Sequence, residues 1–290
     1  MWLRIAIDNL KACIPCKAQL RRIQRSIRPY RSLPSNDELA LEQGVELVRL
    51  VHGHGMNATV VMEVGTGWIP TIPHIMHAYG AERLVLTDVE RLSDPQSFDH
   101  AKKLVEGAIG RIGDACTGDP DTLRANLRRP LNYDYRCPPR LEELENGSVD
   151  LVYSRTVLEH IPEKLLRELL LTWKNLLRPG GYAVHFIDNS DHFEHRDKSL
   201  SRLNFLTLPD WLWKIASFNT QNYQNRLRHS QYIELFENAG YEIVSVEGKP
   251  DSRTLVELEN LTLQKQFSRF DKAELAILTT VIVCRKPDSL

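Results

Sequence analysis

Six apolar runs, separated by stretches of helical periodicity, constrain the fold of this chain more than any other feature. They lie at 59–64 (TVVMEV), 83–87 (RLVLT), 149–154 (VDLVYS), 181–187 (GYAVHFI), 241–247 (YEIVSVE) and 278–285 (LTTVIVCR). Most are continuous rather than alternating, as in strands covered by helices on both faces. Helical spacing falls near 98–110, 162–177 and 229–239. A further helix, capped by Ser35, Asn36 or Asp37, carries Leu41, Val45, Val48 and Val51 on one stripe. This order predicts an α/β fold, a doubly wound Rossmann-like sheet.

Two segments interrupt the alternation. Residues 188–228, polar and rich in aromatics, are expected to form an insertion over the carboxyl edge of the sheet, where such folds bind ligands. A shorter one, 250–275, separates the last two strands. Neither repeats nor low-complexity tracts occur.

At 290 residues and 42% hydrophobic content the chain can bury a large core. No apolar run approaches the roughly 18 residues that span a membrane. Arg4 and Asp8 interrupt the apolar start that a secretion signal needs, so the expected location is the cytoplasm. Five irregularly spaced cysteines argue against a disulfide framework. Cys13 and Cys16 form a CxxC with no second pair to complete a zinc site, and are read as incidental thiols. The net charge of −1 hides an asymmetry, because residues 1–32 hold eight Lys or Arg against one Asp. A solvated helix face explains that run; a peripheral membrane contact through 1–32 is the functional alternative, and no nucleic-acid partner is expected.

The loop after the first strand, VVMEVGTGWIP (60–70), follows glycine spacing for close ligand approach, then departs from the dinucleotide GxGxxG pattern. Its strand ends in an acid, Glu63, two positions before Gly65. A carboxylate there repels a pyrophosphate and favours a cationic ligand. S-adenosylmethionine carries a sulfonium and an ammonium and no phosphate, so the loop suits it.

On these residues the chain resembles the class I S-adenosylmethionine-dependent methyltransferases, methyltransferase type 11-like. VMEVGTG is similar to their first motif, although Ile69 replaces a glycine that many members have. LVLTDVE resembles the second strand, with Asp88 in the place of the carboxylate that binds ribose hydroxyls. Asp134, ahead of the fourth strand, takes the place of the acid that contacts the adenine amino group, and LLRPGGYAVHFID resembles the turn into the fifth strand. The resemblance implies a seven-stranded sheet, S-adenosylmethionine as cofactor, and Glu63, Gly65, Thr66, Gly67, Asp88, Asp134 and Ser154 as the residues that bind it. It divides the chain into a basic helical extension, 1–45, and a methyltransferase domain, 46–290, with 188–228 covering the substrate.

Ser154, Arg155 and Thr156 stand where nucleobase amino methyltransferases carry D/N-P-P-aromatic, which disfavours that chemistry. The richest acid/base cluster is His185, Asp188, Asp191, His192, His195 and Asp197. A helix through it would put Asp188, Asp191, His192 and His195 on one face. Three readings compete, a hydrogen-bonded lid, a histidine general base and a metal site. Among candidate bases His192 is chosen, oriented by Asp188 or Asp191, and no metal is assigned. Glu159 and His160 of VLEHI recur at this place in similar enzymes. His195, Tyr223, Arg226, Arg228 and His229 are expected to bind substrate, since paired arginines suit a carboxylate or phosphate. Trp211 and Trp213 either form a sugar-stacking wall or anchor the insertion.

The resulting expectation is a methyltransferase acting on a polar small molecule or glycan, at oxygen rather than nitrogen. The alternatives are N-methylation of a small molecule, a nicotinamide-dependent oxidoreductase, and a non-catalytic cofactor-binding scaffold. The acceptor and the oligomeric state are left open by the sequence.

Overall fold

A computed structural model describes residues 34–56, 58–195, 197–218 and 223–288. The basic segment, Cys13 and Cys16 therefore lie outside the described residues. The first element is helix α1, Pro34–Gly53. It runs through residue 45 without a break, so the expected domain boundary there falls inside a helix. Then follow β1 (Val60–Val64), α2 (Thr71–Ala78), β2 (Arg83–Thr87), α3 (Pro95–Cys116), α4 (Pro120–Arg128), β3 (Tyr133–Arg136) and β4 (Val149–Arg155). The second half contains α5 (Glu163–Leu176), β5 (Leu177–Asp188), α6 (Asp210–Ala216), α7 (His229–Asn238), β6 (Glu242–Glu247), α8 (Ser252–Glu257), α9 (Lys272–Leu275) and β7 (Thr279–Arg285).

The seven strands form one sheet in the order β3-β2-β1-β4-β5-β7-β6. Pairings of β1 with β2, β1 with β4 and β2 with β3 are parallel. From β1 the chain first moves outward to β2 and β3, then returns to place β4 on its other side. The carboxyl end of β1 is thus a topological switch point, where folds of this kind leave a crevice for ligand. The apolar runs become strands because both faces are covered, and Val61, Met62, Leu84, Leu86, Leu151 and Val152 are buried.

Local chemistry sets the element ends. Asp94 accepts from the Ser97 amide at 2.8 Å ahead of Pro95, starting α3, and Asp119 does the same for α4 through Thr122. Gly44 lets α1 approach α2, since a Cβ there would sit 2.3 Å from Ile75 Cδ1.

By internal contacts the described chain divides into two compact units. One comprises the residues up to Ser154 with Leu171–Val184 and the end from Val283. The other comprises Arg155–Leu170 and His185–Ile282. Within the second unit the two interrupting segments share one core. Leu203, Phe205, Leu206 and Trp213 from the first pack with Leu258, Phe267 and Leu275 from the second.

Candidate active site

In the first unit, the loop after β1 is fixed to β2. Gly65 and Thr66 donate their amides to the Thr87 carbonyl at 2.8 and 3.1 Å, and the Thr87 hydroxyl donates to the Glu63 carbonyl at 2.8 Å. Gly65 and Gly67 have φ of 81° and 66°, the left-handed region that glycine enters without penalty. The Gly67 amide donates to Asp88 Oδ2 at 2.9 Å, and Asp88 Oδ1 accepts from Glu90 at 3.3 Å. Asp88 therefore shapes the loop, with carboxylate lone pairs to spare. Burial raises its pKa, only partly offset by those amides. Glu63 is buried, and its Oε1 accepts from the Tyr153 hydroxyl at 2.8 Å across the Glu63–Tyr153 register of β1 and β4. The sequence reading missed Tyr153, because that partnership appears only once the strands are paired.

This donor set fits S-adenosylmethionine. The buried Thr66 hydroxyl has no hydrogen-bond partner, and a Cβ built on Gly67 meets nothing within 4 Å, which leaves room before the loop. The two carboxylates suit a cationic ligand bearing hydroxyls. Ser154 is buried at the tip of β4, opposite Val64. Asp134 lies elsewhere. It sits inside β3 opposite Val85, one pair short of Leu86–Tyr135 and two short of the strand tip, and its carboxylate accepts from Arg136 at 2.7 Å. That ion pair ties it to its own strand.

In the second unit, β4 ends at Arg155, and Thr156 takes a φ of 51°, unusual for a β-branched residue. A 3-10 turn, Leu158–His160, follows. Asn225 braces this turn, donating to the Leu158 and Ile161 carbonyls at 2.8 and 3.0 Å, while its own amide donates to the Glu159 carbonyl at 2.8 Å. Asp188, the last residue of β5, accepts at Oδ1 from the Ser190 amide and hydroxyl at 2.8 and 2.6 Å. Its Oδ2 lies 3.3 Å from His192 Nε2 and 3.8 Å from His195 Nε2. The His160 and His195 rings flank that of His192, at centroid distances of 4.9 and 5.0 Å.

The segment carrying these histidines is a series of turns, not a helix. Asp188, His192 and His195 still converge; Asp191 does not join them. Its carboxylate accepts from the Phe193 amide at 2.8 Å and from Asn204 at 3.3 Å, and burial pushes it up to about 6. Asp191 thus holds the turn, and the orienting role expected of either carboxylate is open to Asp188 alone. Burial raises the pKa of Asp188, but His192 and the Ser190 hydrogen bonds outweigh it and keep the group ionised. Desolvation lowers both His160 and His195.

The other expected substrate residues are committed within the fold. Arg228 is 1% exposed, donates to the Asn189 carbonyl at 2.9 Å, and is lowered to about 10 by burial. Arg226 donates to the Phe205 and Leu208 carbonyls at 3.2 and 2.9 Å and pairs with Asp210. His229 Nδ1 meets the Thr280 hydroxyl at 2.8 Å. The Tyr223 carbonyl bonds His160 Nδ1 at 2.7 Å, leaving the half-buried Tyr223 ring uncommitted to that bond. Trp213 anchors the insertion, whereas Trp211 is exposed. A cleft of about 690 Å³ in this unit is lined by Arg226, Gln231, Lys265 and Arg269, and none of the clustered histidines borders it.

A family profile described as a methyltransferase domain matches residues 60–246, from β1 to β6. The chain belongs to this methyltransferase family. It is an enzyme, and S-adenosylmethionine is its cofactor. Similar solved structures include an S-adenosylmethionine-dependent methyltransferase from Mesorhizobium loti, 14% identical, covering 84% of this chain and 99% of that one at a TM-score of 0.47. A methyltransferase from Methanosarcina mazei is also 14% identical, covering 83% and 98% at 0.46. A Haemonchus contortus phosphoethanolamine N-methyltransferase bound to S-adenosyl-L-methionine is 16% identical, covering 85% of this chain and 52% of that one at 0.47. No curated protein matches the sequence. Among the described residues, no helix is long and apolar enough to cross a membrane.

Proposed function

We propose that this methyltransferase acts on a hydroxyl of a polar small molecule or glycan, with the Asp188–His192–His195 cluster receiving the acceptor's proton. Glu63, Gly65, Thr66, Gly67, Asp88 and Ser154 are assigned to the cofactor, whose sulfonium supplies an electrophilic methyl carbon when bound. Glu63 and Asp88 offer acceptors to its ammonium and hydroxyl groups, and the glycines allow the backbone to come close.

The observation that carries the choice of oxygen is the 3.3 Å approach of His192 to the ionised Asp188. A neutral amine attacks a methyl cation equivalent without assistance. A hydroxyl loses its proton as the new bond forms, and an imidazole backed by a carboxylate is suited to take it. Asp188 orients the ring and stabilises the imidazolium that results. The partly exposed His192 and His195 leave the cluster open to a solute.

The test is methyl transfer from labelled S-adenosylmethionine to a panel of hydroxylated and amino acceptors, glycans included. The reading expects an O-methyl product and a drop in kcat of about 10²–10⁴ in His192→Ala. An N-methyl product, or full turnover in His192→Ala, overturns it.

A further inference from the structure

We propose that Glu159, His160 and His192 form a binding site for a divalent transition-metal ion. One ligand atom from each lies within 4.8 Å of the others, and Asp188, His192 and His195 form a second such group that shares His192. Glu159 and His160 are consecutive on the 3-10 turn that Asn225 braces, so two donors are delivered by one rigid element. The Tyr223 carbonyl occupies His160 Nδ1, which fixes the ring and leaves Nε2 as the ligand atom. A backbone carbonyl behind a ligating histidine is the usual support for a metal-bound imidazole.

An independent observation comes from Glu159 itself. Glu159 is 2% exposed and, beyond the approach of the Glu159 and Asp188 backbone amides, neither carboxylate oxygen makes a hydrogen bond. An ionised carboxylate in that setting is strongly unfavourable, and a protonated one leaves its O–H without an acceptor. A bound cation supplies that carboxylate with a counter-charge. His192 Nε2 makes no other contact of this kind than its 3.3 Å ion-pair approach to Asp188 Oδ2, which leaves it able to turn to an ion. A mixed set of imidazoles and carboxylates favours zinc, manganese, iron or cobalt over magnesium and calcium.

The inference deepens the proposed reaction and rests on that reading only for its use. Without the ion, His192 takes the proton as proposed above; with the ion bound, His192 becomes a ligand. A hydroxyl at the ion's open position is acidified there, and its proton has His195 to go to.

The experiment uses the full chain, purified without a histidine tag and stripped with chelator, then titrated with Co²⁺ and Zn²⁺. One equivalent of ion retained through gel filtration is expected, with a Co²⁺ visible spectrum that reports nitrogen and carboxylate ligation. Affinity should fall at least about ten-fold in Glu159→Gln and in His192→Gln. His192 is partly exposed, so the second variant keeps the test meaningful if the first fails to fold. Absence of stoichiometric metal, or unchanged affinity in both variants, overturns the site. S-adenosylmethionine binding by the stripped protein is measured in parallel. If it persists while no metal binds, the ion alone is lost and the methyltransferase reading stands.

Discussion

Substituting His185 by leucine should remove a steep acid dependence from the protein's stability. His185 lies in β5, fully buried, with its ring 5.1 Å from that of Phe236. Burial lowers its pKa from 6.5 to about 3. In the unfolded chain the imidazole takes a proton near its ordinary pKa; in the folded chain it stays neutral until far lower pH. The unfolded state therefore binds more protons between those two values, and stability rises with pH across that window. The contribution is fully present above the unfolded pKa of 6.5 and is lost as pH falls toward about 3. Each pH unit inside the window is worth about 1.4 kcal/mol, so roughly 2 kcal/mol of stability is gone by about pH 5. Leucine is close in volume and does not titrate, so whatever the swap itself costs is independent of pH. Urea unfolding of both proteins between about pH 5 and pH 8 gives the comparison. The wild type should lose stability more steeply on acidification, the gap between the two proteins changing by about 2 kcal/mol over that range. A gap independent of pH would mean that His185 titrates normally in the folded protein, and would refute the reasoning.

Three further outcomes follow from the geometry. Gly67→Ala places a Cβ in open space at φ 66°, so its cost of about 1–2 kcal/mol is conformational and appears as a lower melting temperature. An unchanged melting temperature would show that the loop relaxes out of the left-handed region. Asn225→Ala removes bonds to Leu158, Ile161, Leu227 and Tyr232 and should cost about 2–4 kcal/mol in denaturant unfolding. A loss below about 1 kcal/mol would mean that the turn bearing Glu159 and His160 is held otherwise. Phe205→Ala, in the shared core of the two interrupting segments, should cost about 3–5 kcal/mol. A value near zero would argue against that core.

The parts of the fold that were legible in the sequence are those whose signal is local. The 83–87 run is β2 residue for residue, and the β4 run differs by one residue at its end. Continuous apolar runs of that kind have no other way to be buried. The third strand escaped the pattern because YDYR is a short edge strand whose residues are only partly buried. A helix through this stretch would have put Asp188, Asp191, His192 and His195 on one face. Ser190, bonding back to Asp188, starts a turn instead. Which aspartate faces His192 was beyond sequence reasoning, since Asn204, thirteen residues from Asp191, decides it. The same is true of Arg226 and Arg228. Side by side they resemble an anion receptor, yet carbonyls of Phe205, Leu208 and Asn189 occupy them. The glycine loop was readable because backbone conformation and a strand-end acid are local properties; the extent of β3, and with it the place of Asp134 inside the strand, was not.

The central claim is tested most directly by calorimetric titration of the purified protein with S-adenosylmethionine, with NAD and the Asp88→Ala variant alongside. The account predicts micromolar binding of S-adenosylmethionine, about −8 kcal/mol. In Asp88→Ala the affinity should drop by about ten-fold or more, as a charged hydrogen-bonding group is lost. Binding of NAD with no S-adenosylmethionine binding would contradict it.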